Sequence, residues 1–124
     1  MHDQPSVLEL LQAVKSFIDE SAAPQLKGHA AFHARVASNA LATAMRDLEQ
    51  RPAAETIERE GLAELLGPSG AHTLQALNRT LSDKIKSGEM TVQTPGLLAH
   101  LKRTAMAQVE IDQPRYSGLK TAKT

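Results

Sequence analysis

The sequence predicts an all-α fold, a single-domain bundle of about five helices with a long alanine-rich second helix. Three observations predict it. Apolar residues recur at spacings of three and four, the period of a helix face, and nothing reads as a pair of strands. Five of the six prolines and most glycines fall between those periodic stretches, and Pro5 stands just before the first. Alanine is the most frequent apolar residue, with 19 copies against 16 leucines, and aromatic residues make up 2% of the chain. Such a composition suits helices packed at short range better than a bulky core.

The first helical segment runs from about Ser6 to Ser21. Ser6 and Glu9 have the spacing of a capping box, and Val7, Leu10, Leu11, Val14, Phe17 and Ile18 share a face. Pro24 and Gly28 break the chain. The second segment, about His29 to Gln50, is the longest. Pro52 then opens a third, with Ile57, Leu62, Leu65 and Leu66 on one face, Gly61 as its internal irregularity, and a stop at Gly67-Pro68-Ser69-Gly70. A fourth spans about Ala71 to Ser87, where Leu74, Leu77, Leu81 and Ile85 keep helical spacing and Gly88 is placed as the C-terminal cap. Thr94 reads as the N-cap of the fifth, with Pro95 in its first turn; Leu98, Leu101, Ala105 and Val109 line it and Pro114 ends it. Residues 1–116 are thus expected to form one domain and residues 117–124 a loose tail.

Composition narrows the function mostly by exclusion. There is no cysteine, which removes disulfides, thiolate metal sites and cysteine nucleophiles. The opening Met1-His2-Asp3-Gln4-Pro5 has neither the basic nor the apolar region of a signal peptide. No apolar run reaches the roughly 18 residues of a membrane span, so a cytoplasmic protein with no membrane partner is expected. The net charge is zero but uneven: residues 1–66 carry 10 acids and 6 bases, residues 67–124 carry 4 and 8. Two halves folded against each other explain that split; a basic C-terminal face for an anion is the alternative. Nucleic-acid binding by Arg79, Lys84, Lys86, Lys102 and Arg103 is not expected in a neutral chain with so few aromatics.

The second segment carries the candidate site. Advancing 100° per residue places Val36, Ala40, His33, Ala44, Ala37, Leu41, Ala34 and Met45 on one stripe of small and apolar residues, suited to close helix contact. The opposite side gathers Phe32, Arg35, Asn39, Ala42 and Arg46. Two guanidinium groups, an amide and an aromatic ring on one line can grip a phosphate or carboxylate, or a protein partner; paired surface charges explain the arginines equally. His29 and His33 have the spacing of two metal ligands on one helix, but the residues between them are Ala30, Ala31 and Phe32, without the glutamate of the metalloprotease motif. His33 points toward the alanine stripe, where a hydrogen-bonded core histidine is the commoner outcome. Glu58, Glu60 and Glu64 read as an exposed acidic face. The expectation is no catalytic residue, no metal and no cofactor.

Ala71-His72-Thr73-Leu74-Gln75 resembles the phosphorylated helix of histidine-phosphotransfer domains, but that pattern continues with Lys and Gly where this chain has Gln75 and Ala76. A broader resemblance rests on Ala31-Phe32-His33-Ala34-Arg35-Val36-Ala37-Ser38-Asn39-Ala40-Leu41, on Leu77-Asn78, on Leu98 and Leu101, and on Asp112-Gln113-Pro114-Arg115-Tyr116. With these the chain, from about Val7 to Tyr116, resembles a small bacterial family of unknown function. The family's closing motif reads Asn-Pro-Arg-Tyr, and Gln113 departs from it. Members are typically encoded beside kinases similar to aminoglycoside phosphotransferases and beside acyl-CoA dehydrogenases. The resemblance implies a non-catalytic partner of such a kinase, one acting on hydroxyacyl-CoA or related hydroxy acids. ATP, magnesium and catalytic residues would then belong to the kinase. Phe32, Arg35, Asn39 and Arg46 are the first contact expected, Arg115 and Tyr116 the second. A homo-oligomeric helical module binding an anionic metabolite is the alternative, and phosphotransfer through His72 a third reading.

Overall fold

The computed structural model of the chain describes residues 5–68 and 72–123. Every element among them is helical. Helix α1, Val7–Phe17, starts at the predicted capping box: the Ser6 hydroxyl accepts from the Glu9 N–H at 3.1 Å, and the Ser6 N–H donates to Glu9 Oε1 at 3.0 Å. The reciprocal bonds satisfy two amides that the first turn leaves without helical partners. They also hold the Glu9 carboxyl below its ordinary pKa. α1 runs into a π-helical turn, Ile18–Ala22, and then a 3-10 turn, Ala23–Gln25, which holds Pro24. Gly28, at φ +61°, takes the left-handed backbone that reverses the chain into the next helix.

Helix α2 spans Gly28–Leu66 without a break, with Pro52 inside it. This corrects the expectation of separate second and third segments. Proline removes the amide that would bond to the Leu48 carbonyl, but the strong helix formers Ala53, Ala54 and Glu55 follow it. α3 covers Leu74–Lys86 with Thr73 as N-cap, its hydroxyl accepting from the Ala76 N–H at 3.0 Å. The expected start at Ala71, with Ser69 and Gly70, lies outside the described residues. Gly88 caps the far end at φ +82°, as its position predicts.

α4 covers Leu97–Asp112, two residues later than Thr94 and Pro95 suggest. Thr94 accepts the Thr91 N–H at 2.9 Å in the preceding turn instead, and Gly96, at φ +84°, is the N-cap. The segment expected to be a loose tail carries a fifth helix, α5, Gly118–Lys123, with Leu119 buried. Two N–H bonds wind the chain into it, Tyr116 to the Gln113 carbonyl at 2.9 Å and Leu119 to the Tyr116 carbonyl at 3.1 Å.

The chain divides into two compact units, Met1–Gln50 and Arg51–Thr124. In the second, Leu62, Leu77, Leu81, Met90 and Leu97 form the core, with Leu65, Leu66 and Leu74 packed against it. Each fully buried side chain of this size contributes about 1.5–3 kcal/mol. Met90, in the link between α3 and α4 and outside every periodic stretch of the sequence, is a core residue. Ile111 and His100 of α4 are 1% and 2% exposed. The packed face of α4 is therefore Leu97, His100, Thr104, Ala107 and Ile111; the predicted members Leu98, Leu101 and Ala105 face water. The offset arises because a histidine holds the position where the pattern calls for an aliphatic.

The first unit has a different character. Ser38 is its buried side chain, and its hydroxyl donates to Asp19 Oδ1 at 2.5 Å. Lys15 Nζ reaches Asp19 Oδ2 at 2.7 Å; that bond first, and Ser38 second, hold the Asp19 carboxyl below its usual pKa. The tie turns Ala31, Ala34, Ser38, Leu41, Ala42 and Met45 toward cover, while His33, Val36, Ala37, Ala40 and Ala44 are exposed. The predicted small-residue packing stripe is thus rotated: its Ala34, Leu41 and Met45 edge is half-buried and the rest faces water. His33 is correspondingly exposed and not the core histidine expected of it.

Candidate functional site

On α2 the predicted stripe keeps its order. Phe32, Arg35 and Asn39 are exposed and Arg46 is half-buried. The Arg35 guanidinium carbon lies 6.0 Å from the Phe32 ring centre, within reach of a cation–π contact, and the His33 ring meets Phe32 edge-on at 5.6 Å. Arg46 Nη2 donates to the Thr43 hydroxyl at 3.2 Å, which itself donates to the Asn39 carbonyl at 3.1 Å. Arg46 is thereby drawn along its own helix, and the outward cation of the stripe is Arg35.

Arg115 and Tyr116 stand in the turn between α4 and α5. Together with Pro114, Ser117, Lys120 and Lys123 they line a hollow of 400 Å³. Tyr116 lies over Gly118, where a Cβ would collide with its ring. Lys123 Nζ pairs with Glu110 at 3.1 Å. His72 sits just before the Thr73 cap and not on the helix, and its carbonyl accepts from Arg59 Nη1 at 2.9 Å. His29 and His33 are exposed, and no cluster of three or more metal-ligating side chains forms among the described residues.

α1 presents the feature that composition conceals. Val7, Leu10, Val14 and Phe17, four of the six residues on its predicted apolar face, are 49 to 63% exposed. Leu8, Leu11 and Ile18 are half-buried, and no residue of α1 is buried. The helix covers one edge of its apolar surface and leaves the other to water.

The second unit holds a cleft of 230 Å³ between the C-terminal part of α2 and α4, lined among others by Arg51, Ile57, Glu58, His100, Arg103 and Thr104. No motif in the sequence marks it. His100 is packed where Gly61 leaves a notch in α2: a Cβ there would collide with His100 Nδ1, stand 2.9 Å from its Cε1 and 3.4 Å from Arg103 Nη2. Gly61 is thus irregular in the sequence because an imidazole occupies its side-chain space. His100 Nδ1 is buried without a hydrogen-bond partner among the described residues. Burial first, and then the Arg103 charge, push the ring's pKa below its ordinary value, against Glu58 and Glu64, which raise it. An isolated glycine in a helical run was the available signal, but it does not name the residue that fills the notch.

These features define an all-helical protein with an uncovered apolar helix face and a small cleft that sets charged groups beside an apolar wall. Residues 24–116 match the model of one protein family, a domain of unknown function (DUF6285), and the chain belongs to that family. The match includes the Ala31–Leu41 run on which the resemblance to an unknown-function family rests. No curated protein and no solved structure matches the chain. No helix among the described residues is long and apolar enough to cross a membrane.

Proposed function

We propose that the chain is a non-catalytic accessory protein that docks onto a partner protein through its N-terminal unit. One observation carries the reading: Val7, Leu10, Val14 and Phe17 line one side of α1 and stay 49 to 63% exposed. A helix of that length is marginal in water unless its apolar face is covered, and contiguous apolar patches on a protein surface mark interaction sites. The Phe32–Arg35 pair on α2 supplies an aromatic and a cation, the residue types enriched at the anchors of interfaces.

The partner class follows from the family resemblance: a cytoplasmic kinase similar to aminoglycoside phosphotransferases, acting on hydroxyacyl-CoA or related hydroxy acids. Phosphoryl transfer would be the kinase's chemistry, with this chain completing or steadying the fold. Co-expression of the two proteins tests this. The chain is expected to co-purify with the kinase at a fixed ratio, and the double variant Val14→Glu, Phe17→Glu to lose it while keeping its helical circular dichroism. A kinase that is fully active alone and forms no complex contradicts the reading. Arg35→Glu is expected to weaken association further; unchanged binding there moves the contact off α2.

A second reading, an anion-binding module, is favoured by Arg115, Lys120 and Lys123 converging on the hollow beside Tyr116. Binding of inorganic phosphate that Arg115→Gln abolishes would support it.

A further inference from the structure

The cleft between α2 and α4 lies in the second unit and plays no part in the docking proposed for α1. We propose that it binds a small organic carboxylate, its anionic end held by Arg103 beside the His100 ring and its apolar body seated on Ala54, Ile57 and Ala107. The charges lining the cleft are unevenly committed. Both acids are engaged by groups outside the lining or at its edge: Glu58 Oε2 accepts from Asn78 Nδ2 at 2.8 Å, and Glu110 Oε1 faces Lys123 Nζ at 3.1 Å. Arg51 Nη1 donates to Gln108 Oε1 at 2.9 Å. Arg103 has no hydrogen bond or ion pair to any described residue, yet its Nη2 lies beside the Gly61 notch that holds the imidazole. A guanidinium with its donors uncommitted matches a carboxylate in shape and charge.

The buried ring points the same way. His100 is 2% exposed and its Nδ1 lacks a partner, an arrangement that buried polar groups in proteins seldom adopt. A carboxylate beside Arg103 cancels the positive charge that opposes protonation of the ring. Binding of the anion therefore favours the charged ring and tightens as pH falls. Glu58 and Glu64 of α2 and Arg103 of α4 are the charged groups that face the ring, and the carboxylate joins the first two in favouring its charged form. Size sets the ligand class: 230 Å³ is below the roughly 300–1,000 Å³ of pockets for drug-sized molecules, so the occupant is a short-chain acid. Ile57, 53% exposed, gives its apolar end a surface to cover.

The test titrates isotope-labelled protein with sodium acetate, butyrate and hexanoate at constant ionic strength, following the Gly61 amide and the His100 ring by NMR. Saturable shifts at both positions are expected, with affinity rising from acetate to hexanoate and the His100 pKa rising on saturation. Arg103→Gln, a change at an exposed position that leaves the fold intact, should weaken binding about ten-fold or more. Ala107→Phe, which fills the cleft, should abolish it. Absence of saturable shifts overturns the proposal, as does equal affinity in the Arg103→Gln protein. Inorganic phosphate binding as tightly as hexanoate overturns the apolar seat. None of these outcomes depends on whether α1 docks a kinase.

Discussion

Gly61 and His100 show how a single atom can set the packing of an element. Adding a methyl at an ordinary helix position favours the helix by about 1 kcal/mol relative to glycine. At Gly61 the methyl would collide with His100 Nδ1, and the ring is packed at 2% exposure. Gly61→Ala is therefore expected to destabilise the protein by about 1–3 kcal/mol in urea denaturation. In a His100→Ala background the same change should become neutral or stabilising, a coupling that a double-mutant cycle measures. The ring also sets a pH dependence. Its folded-state pKa is depressed, so the unfolded chain binds the proton more readily and stability held above about pH 6.5 is lost as pH falls toward the folded value. Denaturation midpoints at pH 7 and pH 5 should differ more in the wild type than in His100→Phe; an identical drop in both would remove the ring from the account. The sequence exposes half of this pair. Gly61 is visible as an irregularity, whereas His100 belongs to another helix and only packing brings the two together.

At the scale of elements, the caps and periods that depend on neighbours in sequence were legible, and the faces that depend on partners were not. Ser6 and Glu9, and Gly88, behave as their spacing predicts because capping is local. Pro52 misleads, since proline at the start of a helix and proline inside one look alike when good helix formers flank it. Restoring the amide with Pro52→Ala is expected to stabilise α2 by about 1–3 kcal/mol, read as a rise in the denaturation midpoint; a fall would mean that the proline serves the unit boundary beside it. The rotation of α2 has a comparable origin. Ser38 is a small polar residue that periodicity assigns to neither face, and its bond to Asp19 fixes which side is covered. Thr94 and α5 fail for a related reason: Thr94 is taken by Thr91, and Leu119, a lone leucine in a polar stretch, is buried without a periodic signal to announce it.

For the whole molecule, the all-helical class was readable from composition and punctuation alone, but the uneven distribution of the core was not. The sequence spreads its leucines and valines along the chain, and the buried apolar side chains fall at Leu62 and beyond. Among the described residues the unit Met1–Gln50 buries no large apolar side chain completely, which is why its exposed α1 face carries the functional proposal. Isolated from a partner, such a helix should open easily, because local stability follows the number of buried apolar contacts. Hydrogen exchange across Val7–Phe17, with and without the kinase, tests the docking claim most directly. Those amides are expected to exchange fast in the isolated chain, relative to Leu74–Lys86, and to become strongly protected once the kinase is added. Unchanged exchange in α1 on adding the kinase, or protection in the isolated chain equal to that of α3, would contradict it.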